Sequence, residues 1–137
     1  MLPPTPVRFI DIGSGLGGVI LTLAAHRRDC EFVGIEIAPL PWLISVIRGR
    51  LRQSAARFTR RDYRMLDLAD FDVVFAYLSP AAMPALWEQA CTQMRNGSML
   101  ISYAFDLADV RPDQFCMPRA DGPKLYVWFP ERHRQVS

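Results

Sequence analysis

Four of the six residues from Gly13 to Gly18 are glycine, and they follow directly on an apolar run containing an acid: FIDIGSGLGG, residues 9–18. Backbone of that freedom costs conformational entropy on folding, so the chain must need close approach or positive φ angles there. The preceding segment VRFIDI (7–12) is short, β-branched and aromatic, as a buried strand is. From Leu16 to Arg28 the apolar residues Val19, Ile20, Leu23 and Ala24 recur at helical spacing. The order strand, glycine turn, helix restricts the fold to one in which parallel strands alternate with helices.

The rest of the chain repeats that order. EFVGIEI (31–37) reads as a second strand, and Leu40, Leu43, Ile44, Ile47 and Leu51 then follow one face of a second helix, with Arg48 and Arg52 on its polar side. ARFTR (56–60) is a weaker strand, followed by the loop-like RDYRMLDLADF. DVVFAYL (72–78) is a strong strand, and Ser79-Pro80 opens a helix in which Met83, Leu86, Trp87, Ala90 and Met94 share a face. RNGS closes it, Gly97 suiting the left-handed position past a helix end. After the strand SMLISYAF (98–105) no helix follows: DQFCMP and KLYVWFP flank RADG as two antiparallel strands around a turn. The expected fold is α/β and doubly wound, a mostly parallel sheet with a C-terminal antiparallel hairpin and helices on both faces. At 137 residues the chain is expected to be one domain, 1–137, with a tail from 131 to 137 that frays.

Composition excludes several classes. Half of the residues are hydrophobic and 22% are charged, which fits a globular chain and not a disordered one. A net charge of +2 is too small to demand a polyanionic partner. Cys30, Cys91 and Cys116 form no CxxC pair, and neither His26 nor His133 stands near one, so no metal site or disulfide framework is expected. No run of residues is long and apolar enough to span a bilayer, and MLPPTPVRF has no apolar core of a signal peptide, so a cytoplasmic location is expected.

In a sheet of this kind ligands bind outside the carboxyl ends of the strands, beside the first strand-to-helix turn. Gly13, Gly15 and Gly17 fall there, and bare amides at a helix N-terminus suit a ligand. GSGLGG satisfies the dinucleotide pattern G-x-G-x-x-G, with Glu36 at a distance suited to a ribose. Asp11 argues against a dinucleotide such as NAD: a carboxylate two residues ahead of the first glycine repels a pyrophosphate and attracts a ligand carrying an ammonium group.

FIDIGSGLGG followed by FVGIEI resembles the first two motifs of the class I, seven-stranded, Rossmann-like methyltransferases that use S-adenosylmethionine, and the closing hairpin is typical of that family. The resemblance implies that Asp11 and the loop Gly13, Ser14, Gly15 and Gly17 hold the methionyl end of the cofactor. It implies that Glu36 binds both ribose hydroxyls and that Asp62, with Tyr63 behind it, receives the adenine amino group. No metal is implied.

The methyl acceptor is expected past the fourth and fifth strands, at FAYLSP and SYAFD, where Tyr77, Ser79, Tyr103 and Asp106 are the polar candidates. AYLSP departs from the N-P-P-Y-like sequence of enzymes that methylate nucleobases or glutamine. The arrangement around it resembles small methyltransferases that modify protein lysines. RNA is the alternative acceptor, through the seven arginines from Arg48 to Arg64, and a non-catalytic cofactor-binding or scaffold module is the alternative outside enzymes. Only six residues precede the first strand, where the family usually has N-terminal lid helices. The expectation is either a trimmed domain or a lid that comes from elsewhere, from a partner or a second copy.

Overall fold

The computed structural model describes residues 2–118 and 120–134. Seven strands form one mixed sheet in the order β3-β2-β1-β4-β5-β7-β6, with helices around it. Two compact units can be distinguished, Met1–Leu66 and Asp67–Ser137.

In the first unit, β1 (Arg8–Ile12) pairs in parallel with β2 (Glu31–Ile35), and β2 with β3 (Arg57–Thr59). Four consecutive residues of β1 are buried, as both faces of a parallel strand require, and the sequence therefore shows no polar alternation there. α1 (Gly18–His26) buries Ile20 and Leu21 and packs along β2, while α2 (Pro39–Leu51) packs along β3. The aromatic ring of Phe58 organises this unit. A Cβ on Gly34 would lie 2.7 Å from that ring, one on Gly17 2.8 Å, and one on Gly49 3.4 Å. Glycines from the loop, β2 and α2 thus converge on one side chain, a close approach that a larger residue would block.

α2 departs from the sequence expectation. Its inward residues are Ser45 and Gly49, whereas Leu40, Leu43, Ile47 and Leu51 are exposed. The periodicity was legible, but the small residues face inward because the Phe58 ring leaves room only for them. Ser45 Oγ donates to the Trp42 carbonyl at 2.6 Å, and Trp42 Nε1 donates to the Phe58 carbonyl at 3.1 Å, which locks the helix onto β3.

In the second unit, β4 (Val73–Ala76) and β5 (Met99–Tyr103) are parallel, and β7 (Leu125–Trp128) lies antiparallel to both β5 and β6 (Gln114–Cys116). α3 (Met83–Gln93) buries Met83, Leu86 and Ala90. It begins later than Ser79-Pro80 predicts, because residues 79–82 form a turn in which Ala82 N donates to the Ser79 carbonyl at 3.0 Å. The loop after β3 contains two short 3₁₀ turns, Tyr63–Met65 and Leu68–Asp70.

The tail differs from the frayed segment expected from residue 131. Pro130–Arg132 form a 3₁₀ turn, His133 Nε2 lies 3.0 Å from Asp113 Oδ2, and the Arg134 guanidinium donates to the carbonyls of Cys91 and Met94. Arg134 thereby satisfies carbonyls at the C-terminal end of α3, a role that charged composition alone does not reveal. Residues 135–137 of the expected tail lie outside the described residues.

Candidate functional site

The site in the first unit is built on the carboxyl ends of β1 and β2. Asp11, the fourth residue of β1, sits opposite Gly34 and is 3% exposed. No donor among the described residues reaches its carboxylate. Burial, with a smaller push from the Glu36 charge, raises its pKa from the ordinary 3.8 to about 7. A buried acid without a partner is costly, and a positive group or a hydrogen-bond donor placed beside it relieves that cost.

The glycine loop leaves β1 with the amides of Gly13 and Ser14 both donating to the Ile35 carbonyl, at 2.9 and 3.0 Å. Gly15 N donates to Glu36 Oε1 at 2.9 Å, and Gly17 N to the Ser14 carbonyl at 2.9 Å. These four amides are therefore spent inside the protein, contrary to the expectation that they face a ligand. A pyrophosphate finds no free nest in them, which adds to the argument from Asp11. The glycines also divide by role: at Gly17, φ 83°, a side chain would strike Phe58, whereas at Gly15, φ 57°, a Cβ would meet nothing within 4 Å. Open space thus lies over Gly15.

Two further groups, of the loop and of the end of β2, are unsatisfied or part-satisfied. Ser14 Oγ is buried without a hydrogen-bond partner, 3.0 Å from where a Cβ on Gly34 would lie. Glu36 Oε1 accepts from Gly15 N, and Oε2 accepts from Ala38 N at 3.1 Å. Those amides fix the carboxylate, and each oxygen keeps a further lone pair with which to accept a hydroxyl. An uncompensated acid, an orphaned hydroxyl, a held carboxylate and a gap over a glycine fit a ligand with an ammonium end and a diol.

Asp62 is placed differently from a free acceptor. Its carboxylate takes three bonds from the Arg64 side chain, the shortest 2.6 Å, and one from Arg64 N at 3.0 Å. The hydrogen bonds from Arg64 hold its pKa below the usual carboxylate range. An adenine amino group would share these oxygens with Arg64. Tyr63 lies in the 3₁₀ turn that Asp62 caps. A cavity of about 550 Å³ opens elsewhere in this unit, beside α1, and its lining includes neither Asp11 nor Glu36.

In the second unit, the ends of β4 and β5 carry the other candidates. Tyr77, 53% exposed, lies with its ring centroid 5.3 Å from that of Tyr103 and 5.9 Å from that of Phe105. Phe105 was not a sequence candidate; its apolar side chain gave no sign beyond the pattern Y-x-F. Between Tyr103 and Phe105, Ala104 holds φ 74°, a left-handed conformation that strains any residue with a Cβ, and its N donates to the Lys124 carbonyl at 2.8 Å. Ser79 is exposed in the turn before α3, and Asp106 is exposed with Oδ1 accepting from Leu107 N at 2.7 Å.

Comparison with known proteins gives four findings. The family described as the ANTKMT methyltransferase domain matches residues 11–114. A crystal structure of an RNA methyltransferase from Salinibacter ruber in complex with S-adenosyl-L-homocysteine superimposes with TM-score 0.82 at 26% identity, covering 90% of this chain and 80% of that one. PKMT2 from Rickettsia typhi in complex with AdoHcy shares the fold, with TM-score 0.62 at 14% identity over 74% of this chain and 22% of that one. Among curated proteins, the release factor glutamine methyltransferase of Escherichia coli (strain K12) is 42% identical over 38 residues, which span 28% of this chain and 14% of that enzyme.

Proposed function

The chain belongs to the ANTKMT methyltransferase domain family, and from that premise we propose that it transfers a methyl group from S-adenosylmethionine to the ε-amine of a protein lysine. Bound over the glycine loop, the cofactor supplies a methyl carbon made electrophilic by a positively charged sulfur. The observation that carries the cofactor assignment is the buried, unpartnered Asp11 carboxylate beside the fixed Glu36 carboxylate. Asp11 holds the ammonium of the methionyl end, Ser14 offers its free hydroxyl, and Glu36 accepts from the ribose. Gly13, Gly15 and Gly17 shape the loop, and Asp62 with Tyr63 borders the adenine.

The acceptor reading rests on the second unit. A lysine amine must arrive without its proton, because an ammonium has no lone pair, and its ordinary pKa is about 10.4. Aromatic faces attract the amine as a cation, and solvent at this exposed site takes its proton before transfer. Tyr77, Tyr103 and Phe105 form such a set, Asp106 follows directly as a negative charge, and Ser79 supplies a hydroxyl. An acid beside aromatic rings favours a cationic acceptor over a polyanion. Orientation of the amine accounts for much of the rate, since positioning contributes roughly 7–11 kcal/mol in well-oriented systems.

An RNA acceptor is the second reading, favoured by the likeness to the Salinibacter ruber enzyme and by the arginines from Arg48 to Arg64. Incubation with methyl-labelled cofactor and cell lysate, with and without ribonuclease, separates the two. Label that survives ribonuclease and maps to lysine is the expected result; label lost to ribonuclease overturns the lysine reading.

A further inference from the structure

The exposed face of α2 is apolar where a surface helix should be polar. Leu40, Leu43, Ile47 and Leu51 are 65%, 46%, 48% and 79% exposed, and at 3.6 residues per turn they form one stripe. Arg48 and Arg50 lie on opposite flanks of it. Arg48 donates to the Leu16 carbonyl at 2.8 Å, which brings the exposed Leu16 of the glycine loop beside the helix. Ile37, just ahead of α2, is exposed as well.

Charge along this stretch of the chain is of one sign. Residues 39–61 contain six arginines and no acid. Among the described residues, none of Arg50, Arg52, Arg57 and Arg61 pairs with a carboxylate. None of the described helices is long and apolar enough to cross a membrane. An aliphatic face with arginines at its margins lies in the plane of a bilayer surface, the alkyl groups among the acyl chains and the guanidiniums on phosphate.

We propose that α2 docks the protein peripherally on an anionic lipid surface, which sets the glycine loop beside the headgroups. Two alternatives fit the same face less well. A second copy would oppose one set of unpaired arginines with another. A nucleic acid would use the arginines but not four aliphatic side chains, since bases stack on aromatic rings.

Flotation of the full chain with vesicles tests this, comparing phosphatidylcholine alone with phosphatidylcholine containing about 30 mol % phosphatidylserine. Binding should be at least about tenfold stronger to the anionic vesicles and should weaken as salt rises from about 0.05 to about 0.5 M. Leu43→Glu/Ile47→Glu should lose about tenfold or more, and Arg50→Glu should lose roughly fivefold or more, while each keeps the wild-type melting temperature. Equal binding of wild type and Leu43→Glu/Ile47→Glu overturns the proposal, as does no flotation at low salt. A dimer in sedimentation that Leu43→Glu/Ile47→Glu abolishes, without vesicle binding, assigns the face to a second copy instead and equally overturns it.

Discussion

Replacing Asp11 by asparagine should make the protein more stable and less able to bind its cofactor, with a stability gain that depends on pH in a defined way. Burial raises the Asp11 pKa from 3.8 to about 7, and each unit is worth about 1.4 kcal/mol of preference for the protonated form. Below pH 3.8 the acid is protonated in both folded and unfolded states and costs nothing. Between 3.8 and 7 the folded chain binds more protons than the unfolded one, so stability falls as pH rises; above 7 the penalty is complete. Asparagine has the same shape and no charge to bury. The Asp11→Asn gain should therefore be about 4 kcal/mol at most at pH 8 and roughly 1–2 kcal/mol at pH 5. Urea unfolding at the two pH values, with equal m-values, measures it. A gain that does not change with pH, or a loss at pH 8, would refute the burial of an uncompensated charge. The same variant should lose the rise in melting temperature that S-adenosylhomocysteine gives the wild type, since a group kept at the expense of stability is kept for its ligand.

Other consequences are equally measurable. Glu36→Ala removes the acceptor of both Gly15 N and Ala38 N, and titration calorimetry should show S-adenosylhomocysteine binding weakened by about 1–3 kcal/mol; an unchanged Kd would place the ribose elsewhere. Gly17→Ala should cost about 2 kcal/mol or more, since its Cβ would lie 2.8 Å from Phe58 at φ 83°, whereas Gly15→Ala should cost about 1 kcal/mol in thermal unfolding and act mainly on ligand binding. Tyr77→Ala should lower kcat/KM for a lysine acceptor by about tenfold or more with little change in melting temperature, because the ring is exposed and makes its contacts at the surface.

Much of the fold was legible because local order and global order agree: β1, the glycine turn and α1 announce a parallel unit, and the missing helix after β5 announces the hairpin. That Asp11 and Glu36 stand at the carboxyl ends of β1 and β2 was legible from spacing, whereas the roles proposed for them toward a cofactor come from the family resemblance. Other features depend on partners remote in sequence. Nothing in the segment around α2 says that Phe58 would demand Ser45 and Gly49 on the inner side and leave the leucines outside. The same ring stands against Gly17, which a sequence reading places in the ligand loop, and against Gly34, to which that reading gives no role. Arg64 on Asp62 and Arg134 on the end of α3 likewise follow from side-chain reach, which charge runs do not encode. Phe105 joins Tyr77 through the left-handed turn at Ala104, a conformation no propensity predicts for alanine.

Calorimetric titration of the protein with S-adenosylmethionine and with NAD, across pH 6 to 8, tests most directly whether Asp11 selects a cationic ligand. Affinity for S-adenosylmethionine should rise from pH 6 to about 7 as the carboxylate ionises, by up to about tenfold, and level off toward pH 8 as the ligand's own ammonium begins to lose its proton, with no measurable heat from NAD. Comparable binding of NAD, or S-adenosylmethionine affinity that is flat or falls between pH 6 and 7, would contradict it.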